Sequence, residues 1–102
     1  MKRNEAIVVF DENMDVIVFP SLEFATRWLE FMDVDDGVYG EFAYTAQGHE
    51  LRLSTEEEVV SIIPTGRKSF DEFRSKLSRV DAELAEASCA TVENFILSRL
   101  KR

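Results

Sequence analysis

Apolar residues fall in short runs broken by polar clusters, and their period changes along the chain. Residues 5–10 and 15–19 are dense in Val, Ile and Phe, the residue types that suit a pleated strand. The Asp11-Glu12-Asn13-Met14 cluster between them suits a hairpin loop. Both faces of each run are apolar, so at least one of the two strands is expected at the centre of its sheet, covered on both sides. After Pro20, with Ser21 as candidate N-cap, the period becomes helical. On a helical wheel Leu22, Phe24, Ala25, Trp28, Leu29, Phe31 and Met32 fill one half, and Glu23, Thr26, Arg27, Glu30 and Asp33 the other. Glu23 and Arg27 form an i,i+4 pair on the wet side. One amphipathic helix is predicted, ended by Asp35-Asp36-Gly37.

Residues 38–45 alternate Val38, Gly40, Phe42 and Tyr44 against Tyr39, Glu41, Ala43 and Thr45. This predicts a third strand with the first set in the core and Tyr39 and Glu41 outside. A turn at Ala46-Gln47-Gly48 leads to a fourth strand over 50–54, with Leu51 and Leu53 on one face. Thr55-Glu56-Glu57-Glu58 is read as a bend, because the β-branched run 59–63 follows and stops at Pro64-Thr65-Gly66. Ser69 and Glu72 have capping-box spacing, and behind them Phe70, Phe73, Leu77, Val80, Leu84 and Ala87 form a narrow helical stripe. After a break at 88–91, a last helix is expected to turn Val92, Phe95, Ile96 and Leu100 inward. Arg99, Lys101 and Arg102 fall at the end that the helix dipole favours for cations. The order β-β-α-β-β-β-α-α predicts an α+β fold, an antiparallel sheet of about five strands with helices packed on it. At 102 residues, 1–102 is a single domain.

Charge divides the chain unevenly. Residues 1–63 hold 14 Asp and Glu against 4 Lys and Arg, whereas residues 64–102 hold 6 against 8. The sequence pI is about 4.6. Such a surface repels nucleic acid and anionic membrane and steers cationic partners inward. The apolar runs are far shorter than the roughly 20 residues of a membrane span, and the five-residue run behind Lys2 and Arg3 does not read as an export signal. A lone cysteine fits a reducing compartment, so a cytoplasmic location is expected.

Candidate chemistry is sparse. Counted from Asp33 as a calcium loop, position 5 is Gly37 and position 12 is Tyr44, where an oxygen ligand and a bidentate Glu are required; no metal site is expected. His49 stands beside a turn glycine without a second His or a thiol cluster and is read as a surface residue. Cys89, among small residues at a helix junction, is read as a small buried filler. There is no Gly-rich phosphate loop or nucleophile elbow, and carboxylates are numerous enough that a glycosidase-like pair carries no signal. A protein that is not an enzyme, without cofactor, is expected.

What the pattern does offer is a binding edge. Asp33, Asp35, Asp36, Tyr39 and Glu41 converge on the exit of the first helix and the start of the third strand. There an aromatic could supply contact area and the acids steering toward a cationic cleft. Asp11, Glu12 and Asp15 in the first hairpin, and Glu56, Glu57 and Glu58 in the later bend, are secondary acidic sites. In size, charge and mixed pattern the whole chain resembles the small acidic immunity proteins that bacteria encode beside contact-dependent or polymorphic toxins. The segments Val16–Phe19, Ser21–Leu29, Asp33-Val34 and Gly37–Tyr39 resemble a strand–helix–strand arrangement of small bacterial proteins. The resemblance implies an inhibitor of a cognate basic toxin, often a nuclease, that covers the active-site cleft. A regulatory or adaptor module with a non-toxin partner, and an acidic nucleic-acid mimic, are the other readings of the same charge pattern.

Overall fold

The computed structural model describes residues 6–13, 15–29 and 31–100, with Phe31 and Met32 described by backbone alone. Glu5, Met14, Glu30, Lys101 and Arg102, and the side chains of Phe31 and Met32, lie outside the described residues, as do the expectations placed on them.

The first two apolar runs form a hairpin. β1 (Ile7–Phe10) and β2 (Val16–Phe19) pair antiparallel from Ile7↔Phe19 to Phe10↔Val16. The tip is held by Asp11, whose side chain accepts the backbone N–H groups of Asn13 and Asp15, each at 2.9 Å. This is the local bonding that makes Asp a turn residue. β3 (Phe42–Thr45), β4 (His49–Glu56) and β5 (Val59–Lys68) complete one antiparallel sheet in the order β2-β1-β3-β4-β5. β1 is internal, and all four of its residues are buried, as two apolar faces require.

Alternation then sorts the core into two layers. Ile7, Val9, Phe19, Ala43, Leu51, Leu53, Val60 and Ile62 cover one face of the sheet. Ala25 of α1 (Leu22–Trp28), Leu29, and Val34 of α2 (Phe31–Asp35) pack there. Val8, Phe10, Val18 and Tyr44 cover the other face. They meet Phe73 and Leu77 of α3 (Phe70–Leu77), Leu84 of a 3-10 turn (Ala82–Glu86), and Val92 and Ile96 of α4 (Cys89–Ser98). The Tyr44 and Phe73 rings stack at 5.1 Å, with Phe10 edge-on to both.

Several boundaries differ from the sequence reading, each for a local reason. The first helix is two: Ser21 caps α1 as expected, accepting from Phe24 N–H, but Leu29 turns extended (φ −71°, ψ 126°) before α2 begins. The break brings Leu29 and Val34 into the same core. The third strand starts only at Phe42, because Gly37 and Gly40 take φ of +79° and +67° and close successive turns. β5 passes through Pro64 to Lys68; an edge strand tolerates a missing N–H, and the register shifts beyond Leu51↔Pro64, where Gly66 sits at φ +85°. Ser69 occupies the N-cap of α3 without a side-chain bond, and Glu72 pairs with Arg67 at 3.0 Å instead of closing a capping box. The stripe from Phe70 to Ala87 keeps all six residues in one core layer, although α3 ends at Leu77. Cys89 is exposed, not a buried filler, because it opens α4 ahead of the first buried position, Val92. His49 is exposed, as expected.

Gly48 fixes the junction between sheet and α3. Its φ is +87°, its carbonyl accepts Ser69 N–H at 3.0 Å, and a Cβ there would stand 2.8 Å from the Phe70 Cα. Gly48→Ala is expected to destabilise by more than about 2 kcal/mol, since backbone strain of about 1–2 kcal/mol adds to a clash with backbone. Gly37→Ala has similar φ but open space around it, so it should cost only the backbone term. Urea unfolding of the two variants checks the difference; equal losses would mean that α3 yields at Gly48.

Candidate functional site

Antiparallel pairing gathers the acidic segments. β1 rises to Phe10, β3 starts beside it at Phe42, and β4 rises to Glu56 before β5 descends. The β1–β2 tip, the residues leading into β3 and the β4–β5 turn therefore share one end of the sheet. Asp11, Glu12 and Asp15 come from the first, Glu41 from the second, and Glu56, Glu57 and Glu58 from the third. Asp33, Asp35 and Asp36 join them through α2, where the Thr55 hydroxyl donates to Asp35 Oδ1 at 3.3 Å. All of these acids except Asp11 and Asp33, which are half-buried, are exposed. Among the described residues none of the ten makes an ion pair. The opposite end contrasts: Glu50 is buried, accepts the Thr65 hydroxyl at 3.0 Å and pairs with Arg67 at 3.5 Å.

Two of the acidic positions run against local backbone preference. Glu57 and Glu58 form the two-residue β4–β5 turn with φ of +50° and +66°. Turns with both central residues at positive φ favour Asn-Gly, and a long side chain there carries strain. Asp35 is the last residue of α2 and Asp36 follows it, at the end of a helix where cations are favoured and anions are not. Acids are thus present where the fold alone would select other residues.

The principal group is not assembled as the sequence suggested. Tyr39 is 8% exposed and belongs to the core, in contact with Trp28 (ring centroids 6.5 Å apart). The expectation of an exposed aromatic failed because residues 38–40 are turn, so strand alternation does not set which way their side chains face. Phe42 and Tyr44 pack in the core as expected, on the α3 side, whereas Val38, read onto the same face, packs in the opposite layer. Asp33, Asp35, Asp36 and Glu41 remain at the acidic end.

A cleft of about 280 Å³ links two of the acidic segments. Asp11 and Glu12 stand at one side, the Gly37–Phe42 backbone with Glu41 at another, and Lys76 and Arg79 at a third. Lys76 Nζ donates to Tyr44 Oη at 2.9 Å and lies 4.9 Å from that ring's centre. These two cations were not singled out in the sequence, where they fall within the predicted Phe70–Ala87 stripe, between Asp71-Glu72 and Asp81. They bound the acidic surface on the α3 side. Among the described residues no group of three or more His, Cys, Asp or Glu is arranged to hold a metal ion, and no helix is long and apolar enough to cross a membrane. What the arrangement offers is an anionic surface at one end of the sheet. No protein-family model, curated protein or solved structure matches the chain.

Replacing Glu57-Glu58 by Asn-Gly is expected to raise unfolding stability by about 1–3 kcal/mol, by relieving two positive-φ positions. Equilibrium urea unfolding measures this; an unchanged midpoint would show that the turn holds Glu without strain.

Proposed function

We propose that the protein is a cytoplasmic inhibitor of the immunity type, which neutralises a cognate basic toxin, a nuclease domain, by covering its active-site cleft. The observation that carries this reading is the set of ten carboxylates at one end of the sheet that make no ion pair among the described residues, some held at positions that local structure disfavours. Residues that break local rules without a structural gain mark function. In the complex these acids stand where substrate phosphates would lie, and each meets a Lys or Arg of the toxin. They are held on strand ends and a bonded tip, so little ordering is required when the partner arrives. Tyr39, being core, is not a contact; the surface is formed by Asp33, Asp35, Asp36 and Glu41 with the two flanking acidic turns.

The decisive variant is Asp35→Lys with Asp36→Lys. Both side chains are exposed at a helix C-terminus, so thermal unfolding should barely move or rise slightly. Binding to the basic partner captured from the native cell should weaken by about 100-fold or more, since each reversal sets a cation against a cationic cleft. Retained affinity would place the interface elsewhere, and a captured partner that is neither basic nor toxic would end the reading.

Salt supplies a second check. Association should slow steeply between low and half-molar salt, while dissociation changes little, because exposed charges act on encounter and are screened over about 8–10 Å. Stopped-flow association at the two salt levels measures it, and a constant rate would leave the acids without a role in recognition.

A further inference from the structure

β1 and β3 part at the acidic end of the sheet. They pair at Ile7↔Thr45 and Val8↔Tyr44, and the same register would set Phe10 beside Phe42, but the pairing ends before that point. The cleft of about 280 Å³ opens there, with both phenylalanines in its lining. It is slightly smaller than the sites of about 300–1,000 Å³ that take drug-sized ligands, so it suits a smaller molecule. Its charges are mixed. Asp11 and Glu12 of the hairpin tip and Glu41 ahead of β3 supply carboxylates, while Lys76 of α3 and Arg79 of the following turn supply cations. Among the described residues no ion pair joins the two sets.

Local bonds hold the two sets where they are. Asp11 accepts the N–H groups of Asn13 and Asp15 through Oδ1, which leaves Oδ2 out of the tip. The Glu41 carbonyl accepts Leu53 N–H at 2.7 Å. Lys76 spends one of its three donors on Tyr44 Oη, and Arg79 N–H bonds the Lys76 carbonyl at 3.2 Å. A small cleft with separated charges of both signs is complementary to a molecule charged at both ends. Three carboxylates against two cations favour a molecule with one positive charge in excess. We propose that the cleft binds a free basic amino acid, its carboxylate set between Lys76 and Arg79 and its side-chain cation toward Asp11, Glu12 and Glu41. A guanidinium suits the acidic side best, because its planar fork pairs with carboxylates, and the aliphatic stem lies against Phe10 and Phe42. The site stands whether or not the inhibitor reading holds.

Amide NMR titration of the full chain with L-arginine at low salt tests it. Saturable shifts at millimolar concentration are expected in residues 10–12 and 37–42. L-arginine should bind more tightly than agmatine, which is the same molecule without the carboxylate. Arg79→Glu should weaken L-arginine binding by about tenfold or more and reverse that preference, because the carboxylate then meets a like charge. Arg79 is exposed, so the change should leave the fold intact, and Glu41→Gln, also at an exposed position, should weaken both ligands. A surface that is merely acidic would favour agmatine in the wild-type chain, since agmatine carries two positive charges and no negative one; that result overturns the proposal. So does the absence of saturable shifts at tens of millimolar, or L-arginine binding that is indifferent to either substitution.

Discussion

Everything in this molecule is arranged around a strand that has no wet side. Ile7, Val8, Val9 and Phe10 are all buried, so the sheet they sit in must be covered twice. A chain of 102 residues meets that demand with little to spare. α1 and α2 cover one face, and α3, the 3-10 turn and α4 cover the other. With β1 covered on both faces, strand ends remain available for recognition. The carboxylates collected at one of those ends occupy surface that the core does not need.

The strand order has an electrostatic result. Segments at positions 11–15, 33–41 and 56–58 are distant in sequence, yet antiparallel neighbours reverse direction, so alternate connections return to the same end. Like charges brought together repel, which opposes folding modestly when they are exposed to water. Lys76 and Arg79 stand beside that surface and offset part of the repulsion without forming ion pairs with it. The other end follows the opposite rule, with Glu50 buried against Thr65 and Arg67. The same residue type is thus structural at one end and left open at the other.

Much of the fold was legible because periodicity reports burial. The two apolar faces of β1 and the Phe70–Ala87 stripe identified buried surfaces correctly even where element boundaries moved, since the face depends on contact and the boundary on backbone detail. The boundaries failed at Gly37 and Gly40, where an apparent strand became two turns, and at Pro64, which looked like a stop because its edge position was not visible. Tyr39 followed from the first of these failures. The acidic residues were legible one by one from composition. Their meeting place followed from strand order, and the cations beside them came from α3 and the turn after it, which only tertiary packing brings near.

The single tryptophan lies entirely on one side of this double-covered sheet. Trp28 ends α1, 37% exposed, with its ring 5.3 Å from Phe19 and 6.5 Å from Tyr39. The α3–α4 layer has its own aromatic group in Phe10, Tyr44 and Phe73, but no indole. Intrinsic fluorescence excited at the indole band therefore watches one layer, while the circular dichroism of the helices watches both. Whether the two signals change together decides whether the central sheet couples its two coverings into one cooperative unit or lets one peel away first.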